Sequence, residues 1–73
     1  MKQKTNLKNR LKIKRFENGE ITQDDLARRL EVSRQTINAI ENGKFNPSVK
    51  LALKIAKFFN CSVEEIFELT GED

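Results

Sequence analysis

A helix-start signal recurs four times along this chain, and it constrains the fold more than any other feature. Thr22 can accept a hydrogen bond from the backbone N–H of Asp25, with Ile21 and Leu26 placed as a hydrophobic staple. Ser33 repeats the pattern with Val32 and Ile37, and Ser48 repeats the cap. Ser62 opens "SVEE", a Ser-x-x-Glu capping box flanked by Cys61 and Ile66. Stops fall between the starts: Asn18-Gly19, Gly43, and the Asn46-Pro47 turn. With Asn6 as the cap of a first segment, the spacing predicts five short helices. They lie at about 7–17, 22–30, 34–42 and 48–59, with the last near Val63. Residues 66–69 could instead continue as a short extended segment. The fold class expected is all-α, in a single domain spanning 1–73.

A chain of 73 residues buries too little surface for a generous core, so small domains are commonly stapled by disulfides or metals. Neither device is available in the usual form. One cysteine, Cys61, cannot make an intrachain disulfide, and the absence of histidine argues against zinc. No metal and no cofactor are therefore expected. No secretory signal is evident, and no apolar run approaches the roughly 20 residues of a membrane span. The expected compartment is the reducing cytoplasm, with no membrane partner. Helical packing, aided by self-association, is left to hold the molecule together.

Charge is modest in sum and uneven in place. The net value is +3, but Lys2, Lys4, Lys8, Arg10, Lys12, Lys14 and Arg15 fill residues 1–15 without an acid. Glu64, Glu65, Glu68, Glu72 and Asp73 fill residues 61–73 without a base. Such separation fits a basic side turned to a polyanion and an acidic side turned away. A solvated lysine-rich tail would give the same pattern.

The apolar positions form facing stripes. Leu26, Ala27 and Leu30 line the second helix, while Ile37 and Ile40 line the third. On the fourth, Val49, Ala52, Ile55, Ala56 and Phe59 share a face, with Leu51 and Phe58 on the opposite side. A helix apolar all round needs two covers, and a second copy of the chain can supply one. Leu51, Phe58, Ile66, Phe67 and Leu69 are the expected homodimer contacts. Ile66 and Phe67 could alternatively close the protomer's own core.

The third helix, within "SRQTINAIENG", poses the functional question, because its apolar stripe is narrow. Two helices joined by three residues, the second opening on "SRQT", have the spacing of a helix-turn-helix at about 22–42. That motif requires the second helix to lie in the DNA major groove with its N-terminal side chains at base edges. Gln35, Asn38, Ala39 and Asn42 point away from Ile37 and Ile40, with Arg34 at the entering end. The stripe is narrow because the other face is needed for contact.

The stretch "TQDDLARRLEVSRQTINAIENGKFNPSVKLALKIA" closely resembles the Cro/C1-type helix-turn-helix family, the xenobiotic-response-element-like regulators, over about residues 7–67. It is most similar to short stand-alone members of the cytolysin-repressor type. The resemblance implies a lambda-repressor-like five-helix fold and a dimeric regulator of transcription bound to double-stranded DNA. It also implies roles. Arg34 and Gln35 read bases, guanine O6/N7 and adenine N6/N7 being their natural partners, with Asn38 beside them and Ala39 against a thymine methyl. Gln23 clamps a phosphate, as do Asn42, Lys44 and Asn46, with Ser33 and Thr36 alongside. Glu41 pairs with Arg15 of the first helix as a structural tie rather than a catalytic acid.

Three positions depart from that pattern. Glu31 stands where the turn normally has glycine, Lys14 stands where an apolar residue is usual, and "NGEI" is one residue longer than the common spacing. Two functions follow: a repressor acting as a homodimer on a palindromic operator, or an antitoxin that binds a toxin protein and represses its own operon. A third, a pure protein-interaction module, has no use for the polar set Gln23, Arg34, Gln35 and Asn38. No enzyme is expected, because no nucleophile-base pair or phosphate-cradling glycine loop is present. No room remains for a sensing domain, so no small-molecule effector is expected.

Overall fold

The computed structural model describes residues 7–70. Along the chain lie β1 (Leu7–Asn9), α1 (Leu11–Glu17), α2 (Gln23–Leu30), α3 (Arg34–Glu41) and α4 (Val49–Phe58). A 3-10 turn at Val63–Glu65 and β2 (Phe67–Leu69) follow. Three of the four predicted caps form as hydrogen bonds: Asp25 N–H to Thr22 Oγ1 at 3.0 Å, Thr36 N–H to Ser33 Oγ at 3.1 Å, and Leu51 N–H to Ser48 Oγ at 3.1 Å. Each cap residue is extended while the residues after it are helical, so each entry angle is set locally.

Both ends of the chain differ from the sequence expectation, for one reason. Residues 7–9 and 67–69 pair as antiparallel strands, in the register Leu7 with Leu69, Lys8 with Glu68 and Asn9 with Phe67. Four α-helices result, rather than five. The first helix begins at Leu11, not Leu7; Asn9 Oδ1 accepts the Leu11 N–H at 3.1 Å, and the proposed cap Asn6 lies outside the described residues. At the other end Ser62 makes no side-chain cap, and only one 3-10 turn fits before the backbone must enter the ladder. The extended alternative for 66–69 is the one seen, from Phe67 onward. Arg10 fastens this sheet further, through its N–H to the Ile66 carbonyl and an ion pair with Glu68 at 2.7 Å. The Arg10 guanidinium holds the Glu68 carboxyl below its ordinary pKa.

The core draws on every element. Leu11 of α1, Leu26, Ala27 and Leu30 of α2, Ile37 and Ile40 of α3, and Ile55 and Ala56 of α4 are buried together with Phe59, Ile66 and Phe67. Leu51 and Phe58 are half-buried against it, whereas Val49 stands 76 % exposed despite sharing a face with Ile55. α4 therefore meets the core with its last turns, and its first turn runs past the edge. In α1 the buried pair is Leu11 and Arg15, one turn apart, and Ile13 and Phe16 are exposed. Lys14 occupies its unusual position by lying largely covered and reaching Glu17 and Glu65 at 4.0 Å with its ammonium. No helix among the described residues is long and apolar enough to cross a membrane.

The helix ends repeat one device. After α3, the Lys44 N–H reaches the Ala39 carbonyl at 2.9 Å and the Gly43 N–H reaches Ile40, with Gly43 at φ 72°. This is a Schellman closure, and glycine takes the left-handed position without penalty. After α2 the same pair of bonds runs from Val32 to Ala27 and from Glu31 to Arg28, but the left-handed residue, at φ 61°, is Glu31. A side chain there costs about 1–2 kcal/mol, offset in part by the greater unfolded-state freedom of glycine. Glu31→Gly is thus expected to add about 1 kcal/mol and raise Tm by about 4–8 °C. A melting curve that does not move would show that the Glu31 side chain stabilises the turn by an equal amount. The longer "NGEI" link is absorbed similarly, by two successive left-handed residues, Gly19 and Glu20.

Candidate nucleic-acid interface

α2 and α3 are separated by Glu31, Val32 and Ser33, and α3 is seated on α2 through Ile37 and Ile40, both essentially inaccessible. Its other face is open. Arg34, Gln35, Asn38 and Asn42 are exposed, and Ala39 is half-buried beside them. Among the described residues, Arg34 and Gln35 make no side-chain hydrogen bond or ion pair. Arg34 is the first residue of α3, where a cation opposes the helix macrodipole by about 0.3–1 kcal/mol. Local stability does not favour it there. The exposed guanidinium is free to meet solvent or a ligand.

The neighbouring positions are organised by a buried ion pair. Arg15 Nε lies 2.7 Å from Glu41 Oε2, and Arg15 Nη2 lies 3.1 Å from Oε1. Their side chains are only 9 % and 6 % exposed. The remaining terminal nitrogen, Nη1, donates to the Ile21 carbonyl at 2.8 Å, so the pair ties α1, the chain before α2, and the end of α3 together. Gln23 Nε2 also donates to Glu41 Oε1, at 3.0 Å, and reaches Asn38 Oδ1 at 3.3 Å. Its side-chain donors are thus engaged within the protomer. The backbone N–H groups at the start of α2 lie at the positive end of that helix.

Ser33 and Thr36 are likewise joined, Oγ to Oγ1 at 3.0 Å, while Lys44 and Asn46 stand exposed just past α3. Arg28 and Arg29, which a charge count would add to the basic face, are paired with Asp25 at 3.2 and 3.6 Å. Of the five residues expected to meet a second copy, Ile66 and Phe67 are buried within the protomer at 0 % and 7 % exposure. They lie in the protomer's own core, the alternative that the sequence offered for them in place of an interface. Leu69 is exposed, and Leu51 and Phe58 are half-buried.

One positioning residue was missed by the sequence reading. Asn9 Nδ2 donates to the Ile40 carbonyl at 2.9 Å while Asn9 Oδ1 opens α1, so a strand residue holds the C-terminal turn of α3. Only the partial alternation Leu7, Asn9 hinted at a strand there. No three His, Cys, Asp or Glu side chains among the described residues converge as a metal site. The Cys61 thiol is pushed above its ordinary pKa, chiefly by burial.

The helix-turn-helix family profile HTH_3 matches residues 13–66, which takes in α2, α3 and the core that seats them. The chain belongs to the Cro/C1-type helix-turn-helix family. It is similar to MJ0272 of Methanocaldococcus jannaschii, named an uncharacterized HTH-type transcriptional regulator, at 59 % identity over 61 residues. That match covers 84 % of this chain and 91 % of the relative. An Archaeoglobus fulgidus protein of the same description is 48 % identical over 65 residues, covering 88 % of this chain and 92 % of its own. In three dimensions the chain resembles a crystal structure of a candidate DNA-binding protein from Bacteroides fragilis. The TM-score is 0.75 at 26 % identity, with 85 % of this chain and 98 % of that one covered. Members of this family are DNA-binding regulators of transcription, a non-enzymatic class, which supports DNA as the partner.

Proposed function

We propose that this protein is a sequence-specific repressor that binds a palindromic operator as a homodimer, with α3 in the major groove of each half-site. The observation that carries the reading is the pairing of a rigidly seated helix with exposed, unengaged Arg34 and Gln35 at its entering end. Arg34 is suited to guanine O6 and N7, and Gln35 to adenine N6 and N7. Ala39, half-buried on the same face, suits a thymine methyl. Ser33, Thr36, Asn42, Lys44 and Asn46 flank these and suit contacts to phosphates, together with the backbone N–H of Gln23. Arg34→Ala is expected to weaken the cognate site by about 1–3 kcal/mol and to relax one base position. Lys44→Ala should weaken all sequences alike and lower the salt slope by about 1. Selection of bound fragments from random duplexes at several salt concentrations separates the two. Uniform weakening by Arg34→Ala would make it a phosphate contact.

For the dimer, Leu51, Phe58 and Leu69 are the proposed contacts, Leu69 being exposed and the other two half-buried at the edge of the core. A two-fold dimer on a palindromic operator would present its two α3 helices to half-sites about 34–36 Å apart. Phe58→Glu is expected to halve the sedimenting mass. An unchanged mass would move the interface elsewhere.

A further inference from the structure

The amide groups between the buried ion pair and the open face of α3 form a chain whose polarity has one solution. Glu41 accepts from Arg15 at both carboxylate oxygens, and the Gln23 amide turns its NH₂ toward Oε1 as a third donor. The same NH₂ reaches Asn38, which must therefore present its carbonyl oxygen inward, as it does at 3.3 Å. Asn42 Nδ2 donates to that same oxygen, also at 3.3 Å. An amide carbonyl has two lone pairs, and both on Asn38 Oδ1 are then taken. Asn38 Nδ2 donates to no described residue, and the side chain is exposed.

A free asparagine reads adenine with two bonds, accepting from N6 and donating to N7. That mode needs the oxygen that Gln23 and Asn42 hold. Resting on the DNA reading above, we infer that Asn38 is a donor-only specificity residue, set by the Glu41–Gln23 relay to recognise an acceptor in the major groove. Its partners are purine N7, guanine O6 or thymine O4, and an exocyclic amino group contributes nothing to it. Gln23 is then a positioning residue for base recognition.

The test uses the intact protein on its selected duplex, with base analogues at the position whose effects vanish in Asn38→Ala. A 7-deazapurine, or 5-methyl-2-pyrimidinone for thymine, removes an acceptor. Purine for adenine, or 2-pyrimidinone for cytosine, removes an amino donor. Acceptor removal is expected to weaken binding roughly threefold to tenfold, the worth of one hydrogen bond, and amino removal less than about twofold. In Gln23→Leu, checked for folding by its melting curve, the freed oxygen should make the site sensitive to amino removal; Asn42→Ala supplies the same release if Gln23→Leu is unstable. Equal sensitivity to both deletions in the unaltered protein, or no change on releasing the oxygen, overturns the inference while leaving DNA binding intact. Uniform weakening of every duplex by Asn38→Ala overturns it too, by making Asn38 a phosphate contact. Failure of the unaltered protein to enrich any sequence removes the DNA reading itself.

Discussion

Glu41→Ala is expected to destabilise the protein by about 3–5 kcal/mol, because it leaves the Arg15 guanidinium buried with the Ile21 carbonyl as its remaining partner. Against a total stability of about 4–11 kcal/mol for a chain of this length, that is a large fraction. Tm should fall on the order of 15–30 °C. The mechanism predicts a second result. Replacing both partners with apolar residues, Arg15→Met with Glu41→Leu, should recover most of the loss, since the penalty belongs to the orphaned charge and not to a missing attraction. A double variant as unstable as Glu41→Ala alone would show that the pair supplies net stability. The recovered double variant would still lack the anchor of Gln23, which separates the stability role of the pair from its role in recognition.

Ile37→Ala is expected to cost about 2–5 kcal/mol, the range for emptying a well-packed aliphatic site. The figure matters because the apolar attachment of α3 rests on Ile37 and Ile40, both essentially inaccessible. Loosening it should weaken DNA binding more than stability alone explains, since a recognition helix that rocks no longer holds its base-reading groups in register. Ile37→Val, which removes one methylene, should cost only about 0.5–1.5 kcal/mol and leave affinity nearly intact. Urea unfolding alongside duplex titration at fixed salt measures both. Equal loss of affinity in the two variants would place the effect in side-chain identity and not in seating.

Much of this architecture was legible because helix starts are encoded locally. Thr22, Ser33 and Ser48 each need only a neighbour three residues on, and all three bonds form. An extended 66–69 was legible as an alternative, but the pairing of the two ends was not, for the opposite reason. Pairing of 7–9 with 67–69 is a contact across the whole chain, and neither strand alone shows a convincing alternation. Ser62 has the sequence of a capping box but not the length of helix to use it. At the interface, the exposure of Arg34 and Gln35 followed from the narrow stripe of α3. The engagement of Gln23 by Glu41 and Asn38 did not, because three side chains on two helices must be seen together to reveal it. Ile66 and Phe67 show the same limit: apolar type marks burial without saying whether the cover is the protomer or its twin.

The most direct test of the central claim is a titration of isotopically labelled protein with its selected duplex, followed by amide and side-chain chemical shifts. The predicted result is that the largest changes fall on Arg34, Gln35 and Asn38, with smaller ones at Lys44 and the start of α2. Changes confined to α4 or to the two-stranded sheet, with α3 undisturbed, would contradict it.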